Sequence, residues 1–529
     1  MRMSVRLSHS VFLALGVAAA QWPRALPAQR AVSGARARAS ARAYREHNEA
    51  QIISEFATLL AVPNLATDSA NIRRNADLLV QMLERRGFRN ARLLSVPGGP
   101  PAVYGELPSP GATRTLVLYA HYDGQPLDPK QWASPPWSPV LLDRARDQGG
   151  KPIPLLPAMR IDPEARIYAR SAGDDKASII AMLAAIEAMR DQHVEQSVNV
   201  KVFFEGEEEA GSGHLRQILE TYASTLTGDA WLFCDGPVHP SGRQELVFGQ
   251  RGVTGFELTV YGPTRPLHSG HYGNWAPNPA ALIANLIASM RDDDGRIKIA
   301  GYDEDVRPIS AAERKAIAAL PAYDDTLRHT LGLARTEANN ANLAERIMLP
   351  ALNVRGIRVG GVRETGSNTI ASEAYASFDL RLVPNQTPAR VQRLVEEHIR
   401  RQGYFVTHDS VTMAVRLAHP KVARVEWESG YPPSRAPLDG PFGRAVLATL
   451  NDGAPQPLLA LPTSGGSGPA YLFEQVLRVP MISLPIANYD DNQHAANENL
   501  RIQNLWDGIE TYVALLAGIG DRWGARPVP

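Results

Sequence analysis

The sequence predicts an α/β protein with a mixed sheet, into which a smaller α+β module is inserted. Three observations carry that prediction. Helical and buried-strand patterns alternate from about residue 46 to residue 249, as a helix-covered sheet requires. From about residue 250 the pattern shifts to half-solvated alternation, as in VTGFELTVY at 253–261, which suits a sheet with one wet face. After about residue 431 buried helix and strand patterns return. Residues 45–249 and 431–529 therefore read as two parts of one domain and 250–430 as the insertion. A chain of 529 residues is long enough for both.

Basic and acidic residues balance at 55 each, and 44% of residues are apolar, an ordinary globular composition. Without a basic stripe or an aromatic-interleaved Lys/Arg patch, no nucleic-acid partner is expected. The single cysteine, Cys234, excludes an internal disulfide framework. At the amino end Arg2 and Arg6 precede an apolar run over 11–20, then small residues, then Pro- and Arg-rich sequence. This predicts a signal peptide over 1–28, cleaved after Ala20 or Ala28, with a run too short to serve as a membrane anchor. A periplasmic or secreted location is the corresponding expectation. Residues 35–45 (ARARASARAYR) read as a flexible leader.

Residues 46–61 carry Ile52, Ile53, Phe56, Leu59 and Leu60 at helical spacing, and Pro63 stops the helix. A second helix over 69–86 places Ile72, Leu78, Leu79, Met82 and Leu83 on one face and ends before Gly87. Short strands follow at 91–96, 102–107 and 115–120, then a Pro/Gly-rich loop over 143–163. Strand 166–168 leads into helix 176–190, then buried strands end near 205 and 234. In the insertion, strand 253–261, helix 279–291, strand 372–382 and helix 388–402 make the module, and 299–349 reads as polar and mostly helical.

The chemistry-bearing residues sit at strand ends. The stretch VNVKVFFEGEEEAGS (198–212) runs from a buried strand into Glu205, Glu207, Glu208 and Glu209. Read alone, this is either a solvated acidic turn or a cation site, because clustered carboxylates that lose water need compensation. Strand 116–120 exits into His121-Tyr122-Asp123, two ligand-type residues able to face one side. Asp174-Asp175-Lys176 opens a helix, where an acid either caps the terminus or bridges cations. Asp235 follows a buried strand, and His494 lies in the polar loop NYDDNQHAAN. An α/β sheet places ligands outside the carboxyl ends of its strands. Two histidines with several carboxylates suit zinc, with manganese or cobalt possible.

The ordered set HxD, DDK, EEAGS, strand-terminal Asp, HSG and a late His resembles the co-catalytic zinc peptidases. That family includes carnosinase, glutamate carboxypeptidase, aminoacylase and succinyl-diaminopimelate desuccinylase. The resemblance implies two zinc ions per chain, with His121 and Asp235 on one, Glu209 and His494 on the other, and Asp174 bridging. It implies Glu208 as general base and Asp123 as support for His121, leaving Glu205 and Glu207 outside the ligand set. The insertion is then a lid and dimerisation domain, and the chain a homodimer in which His268 of HSG reaches across to polarise the scissile carbonyl. Asn368 and Arg381 match positions that hold substrate, and Gly466 and Ser467 a glycine-rich loop lining its pocket.

The implied substrate is a peptide or an N-acyl amino acid, so dipeptidase or carboxypeptidase activity has N-acyl-amino-acid deacylase as its rival. A non-catalytic binding protein on the same fold is the remoter alternative. The sequence departs from the family pattern at Ala169-Arg170-Ser171, where Gly-Arg-Gly is usual, at Ala177, and at Asn368-Thr369-Ile370-Ala371.

Overall fold

The computed structural model describes residues 32–524, and the expected signal peptide over 1–28 lies outside the described residues. The large sheet has eight strands in the order Arg89–Leu94, Ala102–Leu107, Asn199–Glu205, Thr115–His121, Ala230–Phe233, Met481–Ser483, Glu245–Val247, Leu459–Leu461. Its four central strands, Asn199–Glu205 through Met481–Ser483, run parallel to one another; each flank joins them antiparallel, the first two strands pair antiparallel and the last two parallel. The expected mixed sheet is present, and its middle is apolar on both faces, as parallel strands covered by helices must be. Helices Gly34–Leu60, Lys176–Asp191 and Ile502–Arg522 pack together on one face. Helices Leu215–Thr221 and Ala470–Leu477 cover an aromatic cluster on the other, where Tyr119 stacks on Phe233 at 4.1 Å.

The first helix corrects one expectation. It begins at Gly34, capped by Ser33, so 35–45 is helix and not a flexible leader. Ala37 and Ala41 are fully buried, and Arg38 donates to Thr511 Oγ1 at 3.3 Å and to Leu450 O at 3.0 Å. Arg42 makes a two-pronged bond to Glu510 at 3.0 and 2.8 Å. Small alanines admit close approach to the last helix, while arginine stems cover apolar surface and their heads find partners. Apolar periodicity does not register that kind of interface.

The second sheet has five strands in the order Ala351–Arg358, Glu373–Leu382, Gly252–Tyr261, Val422–Trp427, Phe405–Thr407. Gly252–Tyr261 and Glu373–Leu382 pair along their whole length, and burial alternates residue by residue in the latter. Helices Pro279–Met290 and Pro388–Arg401 complete a core separate from the large sheet's, around Leu258, Phe378 and Val395. Short helices such as Ala311–Ala318 and Asp324–Thr330 occupy the polar stretch 299–349.

Candidate metal centre and substrate cleft

Four adjacent parallel strands deliver the ionisable groups to one edge. Thr115–His121 ends on His121, Asn199–Glu205 leads into Glu208 and Glu209, Ala230–Phe233 leads to Asp235, and Met481–Ser483 leads into the loop bearing His494. Asp174 arrives from the turn before helix Lys176–Asp191, and its peptide bond to Asp175 is cis.

The geometry is two-sided about Asp174. Its Oδ1 lies 2.8 Å from His121 Nε2, and its Oδ2 lies 3.1 Å from His494 Nε2. His121 Nε2 also faces Asp235 Oδ2 at 4.0 Å, and His494 Nε2 faces Glu209 Oε2 at 3.2 Å. Donor atoms about 2.0–2.2 Å from a tetrahedral zinc ion sit roughly 3.4 Å from each other, so both sets have the spacing a cation needs. Among the described residues, His121, Asp174 and Glu209 bring one donor atom each within 4.8 Å of one another, as do His121, Asp175 and Asp235. Asp235 Oδ1 is buried without a hydrogen-bond partner, which is costly unless a further group completes the site. The donor set fits a metal.

Electrostatics point the same way. Burial pushes Asp235 up to about 7, with the Asp174 charge adding to it. Burial also raises Glu208 well above the usual carboxylate range, His121 opposing and Asp235, Asp174 and Glu209 reinforcing. Burial would raise Asp174 too, yet hydrogen bonds from His121 and His494 hold it below its ordinary value. Bonds to Asp174 and Glu209 lift His494 to about 10. A crowd of buried carboxylates that suppress one another's ionisation is relieved by positive charge.

Asp123 is fully buried, 3.4 Å from His121 Nδ1, and accepts the backbone N–H groups of Glu208 at 3.1 Å and Glu209 at 3.0 Å. Glu205 accepts from Tyr119 Oη at 2.7 Å, and Glu207 accepts from the His214 backbone and ring.

Asp174, Glu208, Glu209, Asp235 and His494 open onto a cleft of about 430 Å³ that Gly466 and Ser467 also line. Tyr431 and Tyr471, stacked at 5.1 Å, form one wall. Arg381 reaches this rim, donating from Nη1 to Ser467 Oγ at 2.9 Å, and is braced by Asp379 at 3.1 Å. His268 and Asn368 are brought together elsewhere. They lie on an exposed two-stranded ribbon, Leu267–His268 against Thr369–Ile370, with the Ser269 N–H on Asn368 O at 2.8 Å, and neither lines the cleft.

Several contributors escaped sequence reasoning. Gln125 Nε2 donates to Glu209 at 2.7 Å and Gln493 Nε2 to Asp174 at 2.7 Å. Asp175 Oδ2 accepts the His121 backbone N–H at 3.2 Å. Buried Lys176 ties the start of its helix to Leu59 O and Asn75 Oδ1. Asp175 and Lys176 belong to the DDK motif and Gln493 adjoins His494, whereas Gln125 offered no signal in the sequence.

Comparison with known proteins gives the chain's family. The family model Peptidase family M20/M25/M40 matches residues 117–518. The Cys-Gly metallodipeptidase dug1 of Schizosaccharomyces pombe is 26% identical over 430 residues, covering 79% of this chain and 83% of that protein. The Beta-Ala-His dipeptidase of Homo sapiens is 25% identical over 429 residues, covering 78% of this chain and 76% of that one. The crystal structure of an M20 family metallo-carboxypeptidase from Sulfolobus solfataricus superposes with a TM-score of 0.71 at 27% identity, covering 89% of this chain and 99% of that one.

Proposed function

The chain belongs to peptidase family M20/M25/M40, and on that premise we propose an exported dinuclear zinc hydrolase that cleaves an amide bond beside a free carboxylate. Membership makes it a metallopeptidase, and its curated relatives act as dipeptidases. The observation that supports two cations is Asp174, whose two oxygens face different imidazoles at 2.8 and 3.1 Å. His121 and Asp235 would hold one ion, Glu209 and His494 the other, with Asp174 shared. Manganese or cobalt would suit the same donors.

When bound, the cations supply Lewis acidity to the scissile carbonyl and to water. Glu208 would take the proton from the attacking water and return it to the leaving amine, a role suited to a carboxyl raised by burial. Asp123 sets the position of that base through its bonds to the Glu208 and Glu209 amides. Arg381, Ser467 and Gly466 would receive the substrate carboxylate at the rim, where a guanidinium gives paired bonds. The exposed ribbon bearing His268 and Asn368 lies off its own cleft, which supports their service to the cleft of a second copy in a homodimer through the small-sheet domain.

Glu208→Gln is expected to bind metal as the parent does while turnover falls by about 10²–10⁴-fold. Full activity in that variant would remove Glu208 from the mechanism. A panel of dipeptides against N-acetyl and N-succinyl amino acids separates peptidase from deacylase, with dipeptides expected to be the better substrates.

A further inference from the structure

Glu498 has no exposed surface and spends both carboxylate oxygens on the turn that carries Asp174. Its Oε1 accepts the backbone N–H groups of Gly173 and Asp174, both at 3.0 Å. Its Oε2 accepts the Ser171 N–H at 3.0 Å and Arg170 Nη1 at 2.7 Å. Ser171 adopts a left-handed backbone with φ of 63°, and the three amides converge on one carboxylate, in an anion-binding concavity of the nest type. Here the anion is the chain's own side chain.

Glu498 lies in the loop that also presents His494, and the two loops meet closely. The Glu498 carbonyl accepts the Ala169 N–H at 3.2 Å. Gln493 reaches Asp174 Oδ2 at 2.7 Å. A Cβ on Gly173 would fall 2.6 Å from Asp491 Oδ2 and 3.2 Å from its Cβ, so any side chain there would push Asp491 aside. Arg170 is itself held, its guanidinium 5.1 Å from the Trp132 ring.

We propose that Glu498 is a positioning residue for the metal centre, clamping the Asp174 turn to the His494 loop and so fixing their donor atoms 3.1 Å apart. The inference rests on the dinuclear reading above and deepens it. A shared carboxylate tolerates only about half an ångström of misplacement before one of its two donor sets opens. In Glu498→Gln one oxygen becomes an NH₂ group, which opposes amide donors instead of accepting from them. Glu498→Asp keeps the charge but withdraws it by one methylene.

The test is titration of the metal-free full chain with Co²⁺, followed by visible absorption, with Zn²⁺ competition and thermal melting alongside. The parent should take two ions. In Glu498→Gln at least one step should weaken by about 10–100-fold, as loss of a ligand-orienting partner typically does, with Glu498→Asp in between and both variants folded. A parent that takes fewer than two ions defeats the dinuclear reading itself, whatever the variants do. A parent taking two ions, with both variants binding at parent affinity, overturns the role of Glu498 alone. Should Glu498→Gln not fold, the Asp variant decides on the same titration. Collapse of both variants makes the residue architectural and also overturns the proposal.

Discussion

Each oxygen of Asp123 accepts a backbone N–H, from Glu208 at 3.1 Å and from Glu209 at 3.0 Å, while the carboxylate lies 3.4 Å from His121 Nδ1. One side chain thus sets both the imidazole and the acidic turn, and the four glutamates from the strand's last residue onward separate by what they touch. Glu209 faces His494, Glu208 faces the cleft, Glu205 binds Tyr119, and Glu207 binds His214. A different buried acid, Glu245, gives a pH prediction. Its Oε2 has no partner, and burial raises it from 4.5 to about 8. Between those values the unfolded chain ionises while the folded one stays protonated, so stability falls as pH rises through the window and levels off above it. Glu245→Gln cannot ionise. Its melting temperature is expected to match the parent's near pH 4.5 and to exceed it by a widening margin toward pH 8. A margin that stays constant across that range would show Glu245 to be ionised in the fold.

Among elements, the four parallel strands explain why so much of the site was legible in the sequence. A carboxylate or imidazole at the end of an apolar β-branched run is conspicuous, because burial makes it costly. His121, Glu208, Glu209 and Asp235 all carried that mark. Glu498 did not, since one acid in a polar loop looks solvated until the fold places three amides against it. Gln125 and the Arg38 interface were hidden for the same reason, as their partners are distant in the sequence. The first helix gives the sharpest case. Ala41 is fully buried against the core, so Ala41→Leu should destabilise by about 1–3 kcal/mol through overpacking, read by denaturant unfolding. Were residues 35–45 a flexible leader, the same substitution would change nothing.

For the whole molecule, two cores divide the work. The large sheet gathers candidate ligands from segments more than 350 residues apart in sequence, from His121 to His494, and so commits most of the chain to one small volume. The second sheet, with its separate core, carries the Arg381 rim and the His268–Asn368 ribbon. On the proposed reading the second body brings Arg381 to a cleft whose candidate metal-holding residues, with Gly466 and Ser467, belong to the first, and a homodimer would complete each cleft from the partner's ribbon. The central claim is that Asp174 is shared between two cations. Metal content per chain, measured by elemental analysis after equilibration with zinc, tests it most directly. The parent and Glu208→Gln should each hold two ions, whereas Asp174→Asn should lose at least one of them. One ion in the parent, or two in Asp174→Asn at parent affinity, would contradict it.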